Sequence, residues 1–196
     1  MPVDRDYAKF QFDFWTQTLG LEHTFSFDEV YDLAMEKRAE KQQLQASKEQ
    51  FRTRIMEVQE NLENHPNGLT GEALQKLNPL KHSFADGCYI REIFNPKGEL
   101  LITKIHKVSH PFFLLKGDMT ILMEDGIKRI KAPHYGITPA GTKRIIYCHE
   151  DCMFVTVHAT KLTDIDKIEE EVIAKDFDEF DKEEIERFKR KVEVVL

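Results

Sequence analysis

The sequence predicts a mainly β protein with α-helical extensions on both sides, its strands arranged antiparallel as a sandwich or barrel. Three observations predict it. Residues 86–160 hold seven or eight short alternating runs punctuated by Gly, Pro and Asn. Residues 27–62 contain neither Gly nor Pro, and beyond Thr163 apolar residues recur at helical spacing among acids. At 196 residues the chain suits one core with extensions rather than two full domains.

Residues 1–80 form an aromatic amino-terminal segment plus a helical extension. Tyr7, Phe10, Phe12, Phe14 and Trp15 lie close together, and so many rings need an acceptor surface, either the core or a neighbouring subunit. Ser26-Phe27-Asp28-Glu29 fits a capping box, in which hydroxyl and carboxylate satisfy the free amides of a first helical turn. The helix it opens is about 36 residues, or roughly 54 Å, long. Its stripe Val30, Leu33 and Ala34 gives way to a polar middle, and Phe51, Ile55, Val58 and Leu62 resume it. Packing on the domain and a coiled-coil or inter-subunit role are equally open there. Asn64–Gly68 turns, a short helix covers Thr70–Leu77, and His65 and His82 fall in loop contexts.

Residues 81–162 are the strand domain. Cys88–Phe94 and Glu99–His106 alternate on either side of the turn Asn95-Pro96-Lys97-Gly98. Further runs are Phe112–Leu115, Asp118–Met123, Ile127–Lys131, Tyr135–Thr138, Lys143–Cys148 and Met153–His158. Along the last run Phe154, Thr156 and His158 share one face and Met153, Val155 and Val157 the other, and the apolar face is expected to be the inner one. Residues 163–196 form an acidic helical tail with helix starts at Thr163–Asp166 and Asp181–Glu184.

Several function classes are excluded on charge and pattern. A formal charge of -7 does not supply the basic face that nucleic-acid binding needs. No apolar stretch of about 18 residues exists to span a membrane, and Met1–Phe10 lacks the apolar run of a signal peptide, so a cytoplasmic address is expected. Three cysteines, Cys88, Cys148 and Cys152, do not make a disulfide framework and read as thiols. Neither a nucleophilic triad, a phosphate-binding glycine loop nor zinc-finger spacing is present.

The stretch LLITKIHKVSHPFFLLKG carries the chemistry. In the cupin family the first motif is G-x5-H-x-H-x3,4-E-x6-G and the second is G-x5-P-x-G-x2-H-x3-N. Gly117 matches the closing glycine of the first, which places His110 where the family has glutamate, His106 at the second histidine and Lys104 at the first. Pro139-Ala140-Gly141 matches the second motif, with Arg144 at its histidine and Cys148 at its asparagine. Residues 86–160 therefore resemble a cupin, the small jelly-roll barrel, with a degenerate metal motif, and are similar to small cupins encoded in tailed-phage genomes.

The resemblance implies that Lys104, His106, His110 and Arg144 project into the barrel mouth, with Tyr147 and Lys143 outside and Ile146 inside. A pocket lined that way is cationic. A guanidinium forks onto a carboxylate or phosphate, whereas a bare divalent cation about 4 Å away is repelled by roughly 4 kcal/mol at an effective dielectric of 20. The expected function is a cupin-fold binding or assembly module for a small anionic ligand, with Lys104, His106, His110, Arg144, Cys148 and His158 as the ligand-binding set.

Two alternatives stand beside it. A metal-dependent isomerase, epimerase or oxygenase would hold Zn, Fe, Ni or Mn on His106 and His110 with a third ligand from His158, His134 or His149, and Tyr147 or His158 would move protons. A virion-associated or other structural protein would use helix 27–62 and the aromatic amino terminus as interaction elements. Cupins commonly dimerise, so a homo-oligomer is expected in every case.

Overall fold

A computed structural model describes residues 4–19 and 26–193; the side chains of 14–19 and 191–193 lie outside the description, and with them the expectation for Phe14 and Trp15. The chain divides into two units, Met1–Gln50 and Phe51–Leu196. Among the described residues no helix is long and apolar enough to cross a membrane.

In the first unit, helix α1 (Arg5–Leu19) opens on Asp4, whose carboxylate accepts from Asp6 N at 2.8 Å. Helix α2 (Phe27–Glu63) opens on the expected capping box: Ser26 N donates to Glu29 Oε2 at 2.8 Å and Glu29 N to Ser26 Oγ at 3.3 Å. The aromatic segment finds part of its acceptor locally. Phe12 meets Phe27 edge-on at 5.6 Å, and Arg5 pairs with Asp28 at 2.8 Å, while Tyr7 and Phe10 stay exposed.

The second unit begins in the later half of α2, where Ile55 is fully buried and Arg52 lies 4.4 Å from the Phe177 ring and 2.7 Å from Asp181. The resumed apolar stripe is thus a packed face of this chain. Helix α3 (Gly71–Leu77) follows.

Nine of the strands then form two antiparallel sheets. One has the order β1-β2-β10-β5-β8, from β1 (Leu80–Ala85), β2 (Cys88–Asn95), β10 (Cys152–Ala159), β5 (His110–Lys116) and β8 (His134–Thr138). The other has the order β3-β9-β6-β7, from β3 (Leu100–Ile102), β9 (Ile145–Cys148), β6 (Asp118–Met123) and β7 (Gly126–Lys131). Both sheets feed one core of Phe112, Leu114, Met119, Ile121, Ile130, Ile146, Cys148 and Cys152. Among the described residues these are two separately hydrogen-bonded sheets facing one core, the sandwich form of the expected fold.

Two elements depart from the expected order. Leu80–Ala85 is a strand where a loop is expected, because each of its residues finds a partner on β2. Within the helical tail, β11 (Ile173–Ala174) pairs with β4 (Ile105–His106) between α4 (Ile165–Val172) and α5 (Phe177–Glu193). Helix α5 also starts earlier than Asp181, on Asp176, whose carboxylate accepts from Glu179 N at 2.8 Å.

Gly117 sits between β5 and β6 at φ +98°, and a Cβ there would lie 2.6 Å from Asp151 O and from Cys152 Sγ. The glycine that anchors the motif register is therefore required by both conformation and space.

Candidate metal centre

Three strands bring His106, His110 and His158 together. His106 ends β4, whose partner is β11, and its carbonyl accepts from Gly141 N at 2.8 Å. His110 opens β5. Thr156 of β10 faces Phe112 of β5, so two residues on, the antiparallel register puts His158 opposite His110. Ring centroids are 4.1 Å apart for His106–His110, 4.4 Å for His110–His158 and 5.3 Å for His106–His158. One ligand nitrogen of each lies within 4.8 Å of the others.

All three imidazoles are held neutral. Burial pushes His106 down to about 2 and His158 to about 4, and lowers His110; neighbouring histidines add to the effect on the first two, and Arg91 on all three. His110 Nδ1 donates to Val108 O at 3.3 Å, which leaves its Nε2 lone pair for another partner. His158 Nε2 lies 3.1 Å from Thr156 Oγ1, while the Nδ1 atoms of His106 and His158 are buried without a protein partner. Buried polar atoms are rarely left so, and here both belong to one cluster of metal-competent ligands.

Arg144 shares the cavity with these imidazoles. It is 4% exposed, its Nη2 donates to Thr138 Oγ1 at 2.8 Å, and its guanidinium lies 5.2 Å from the Phe112 ring. Burial brings its pKa down to about 10, so it stays charged at neutral pH. Arg91, on the cavity face of β2, acts electrostatically on all three histidines. The cavity is about 370 Å³ in volume, which suits a small organic molecule.

The other expected residues fall elsewhere. Lys104 sits at the cavity rim with its side chain 55% exposed and pairs with Glu169 at 2.6 Å, so the cationic contribution expected of it is neutralised. Cys148 is in the hydrophobic core beside Cys152, where burial pushes its thiol well above the usual range, and it does not line the cavity. Lys143, expected outside, is buried, and its Nζ donates to Thr103 O at 3.2 Å. Ile146 is in the core and Tyr147 exposed. His149 turns away to Thr120 Oγ1 at 2.7 Å, and His134 lies on β8 near Phe112 at 6.1 Å.

The apolar face of β10 was expected inside, yet Phe154, Thr156 and His158 line the cavity. A polar cavity reverses the usual inference from strand parity. The missed residues follow the same rule: Tyr89, Arg91, Ile93 and Asn95 share one face of β2 and all line the cavity, a parity signal present in the sequence. His82, expected to be solvated, lies on β1 with its Nδ1 2.6 Å from the hydroxyl of buried Tyr89.

No protein-family model and no curated protein matches the chain. Solved structures that it is similar to include cupins. A cupin-2 domain protein from Shewanella frigidimarina shares 11% identity over 41% of this chain and 78% of that one, with a TM-score of 0.36. An RmlC-like cupin with a double-stranded β-helix fold from Methanocaldococcus jannaschii shares 20% over 47% of this chain and 87% of that one, TM-score 0.37. A DMSP lyase from Ruegeria pomeroyi shares 14% over 48% of this chain and 53% of that one, TM-score 0.41.

Proposed function

We propose that this chain is a cupin-type module whose cavity binds a divalent transition metal through His106, His110 and His158 and a small anionic ligand through Arg144 and Arg91. The observation that carries the reading is the cluster of three neutral imidazoles, two of them with a buried Nδ1 that no protein atom satisfies. Three histidines form a recurrent catalytic-type ligand set for zinc and suit iron and nickel equally by softness. A metal bound there would act as a Lewis acid toward a coordinated oxygen.

The chain's own residues explain why an anion belongs in the same cavity. Two guanidinium charges near the imidazoles disfavour a bare cation, and an oxyanion between them offsets that repulsion. Thr138 orients Arg144 through its hydroxyl, and Phe112 supports the guanidinium plane. A second reading, an anion pocket without metal, is favoured by the same two arginines.

Metal analysis of the purified chain after growth with added Zn, Fe, Ni and Mn separates the two. Near one equivalent is expected, falling with His106→Ala or His158→Ala. Less than about a tenth of an equivalent in the unmodified protein overturns the metal reading and leaves the anion pocket.

A further inference from the structure

The cavity has a second polar group, made from three side chains that the histidines and arginines do not use. Asn78 and Asn95, 5% and 4% exposed, both donate their amides to Glu99 Oε2, at 2.8 and 3.2 Å. Asn78 Nδ2 also donates to Phe94 O at 3.1 Å, which fixes the orientation of that amide. Two acceptors are then left over: Asn78 Oδ1 and Glu99 Oε1 are buried and have no protein hydrogen-bond partner. All three residues line the cavity that His106, His110, His158 and Arg144 line.

A carboxylate oxygen and an amide oxygen accept and cannot donate to one another. What satisfies both is a group with at least two donors. A hydroxyl has one; water has two but no charge, whereas a primary ammonium has three and adds a charge that matches Glu99. Burial pushes the Glu99 carboxyl up while the two amides oppose it, so a cationic donor would gain most from this pocket by holding the group ionised.

We infer that the ligand is a small zwitterion of the amino-acid class, its carboxylate received by Arg144 and Arg91 and its primary ammonium by Glu99 and Asn78. The inference rests on the reading of the cavity as an anion-binding site and specifies the substrate class for it. Leu101, Ile146 and Ile168 also line the cavity and supply apolar wall for an aliphatic spacer.

The test titrates the full chain by calorimetry with two matched series: ω-amino acids from β-alanine to 6-aminohexanoate, and the same chain lengths as amine-free carboxylates. At least one amino acid should bind tenfold or more tightly than its amine-free partner, about the worth of one charge-assisted hydrogen bond. Glu99→Gln, which keeps the size and the acceptor for Asn78 and Asn95, should bring the two series level. Equal binding of the two series to the unmodified chain overturns the inference, as does binding by neither, and neither outcome depends on a variant folding. Discrimination that survives Glu99→Gln in a folded variant also overturns it. Metal content measured on the same samples keeps the readings apart: amine discrimination without metal sinks the metal centre alone, and metal without discrimination sinks this inference alone.

Discussion

Lys107 Nζ lies 2.7 Å from Glu183 Oε1, a contact across 76 residues of sequence that ties the turn between His106 and His110 to helix α5. The same ammonium reaches Glu179 at 2.9 Å and the carbonyl of Glu170 at 3.1 Å, and Arg187 donates to the Lys107 carbonyl at 2.8 Å. The acidic tail is therefore partly a clamp on the histidine turn. Lys107→Ala strips the cation from these acceptors and is expected to cost about 2 kcal/mol, lowering Tm by several degrees. Lys107→Arg should recover part of it. A thermal melt unchanged in Lys107→Ala would show that the clamp contributes nothing.

Metal-free stability should fall on acidification. His106 and His158 are neutral when folded, facing His110 and the charges of Arg91 and, for His106, Arg144. Above the ordinary histidine value of 6.5 neither state is protonated and nothing is lost. As pH falls below 6.5 the unfolded chain takes up protons that the folded chain refuses, until about 4 for His158. That histidine alone accounts for about 3 kcal/mol by pH 4. Urea unfolding between pH 7.5 and 4.5 should show the slope, and His158→Gln should reduce it, leaving the part due to His106 and His110.

Arg144→Met should weaken binding of small carboxylates by about 2 kcal/mol or more, and Thr138→Val by about 1 kcal/mol through loss of the orienting acceptor. Metal content should hold or rise in Arg144→Met, because a cation has been removed from the site. Calorimetry and metal analysis on the same preparation check both, and a fall in metal content would place Arg144 in a supporting role for the histidines.

Gly117→Ala combines a left-handed backbone with a Cβ 2.6 Å from Asp151 O and from Cys152 Sγ. It is expected to cost about 3 kcal/mol or more. Gly98→Ala, at φ +85° but with open space around its Cβ, should cost clearly less in the same denaturant titration. Equal losses would mean that the contact with Cys152 is unimportant.

The legible parts of the sequence were those with local physical causes. The capping box at Ser26 and the turn at Asn95–Gly98 each follow from a residue's own conformational needs, and each is found. Strand runs were legible because alternation survives wherever a strand is regular.

Parity failed where strands break. Thr103 and Lys104 fall between β3 and β4, and Lys143 and Arg144 precede β9, so alternation no longer says which side chain points inward. Lys143, placed outside by the family positions, goes in, while Lys104 lines the cavity with its side chain 55% exposed. The third histidine was named among several candidates, but the rule that apolar faces point inward argued against it. Glu99, Asn78 and Arg91 drew no notice because a lone polar residue on a strand looks like surface until its neighbours are known.

The pairing of Ile173 with His106 carries a consequence for how the protein is made. The strand bearing His106 emerges from the ribosome well before residues 173–187, which supply its partner strand and the acids that hold its turn. A nascent chain carrying all three histidines still lacks the frame for two of them. The frame of His106 and of the turn after it completes only when these later residues dock, so the three imidazoles are brought together late.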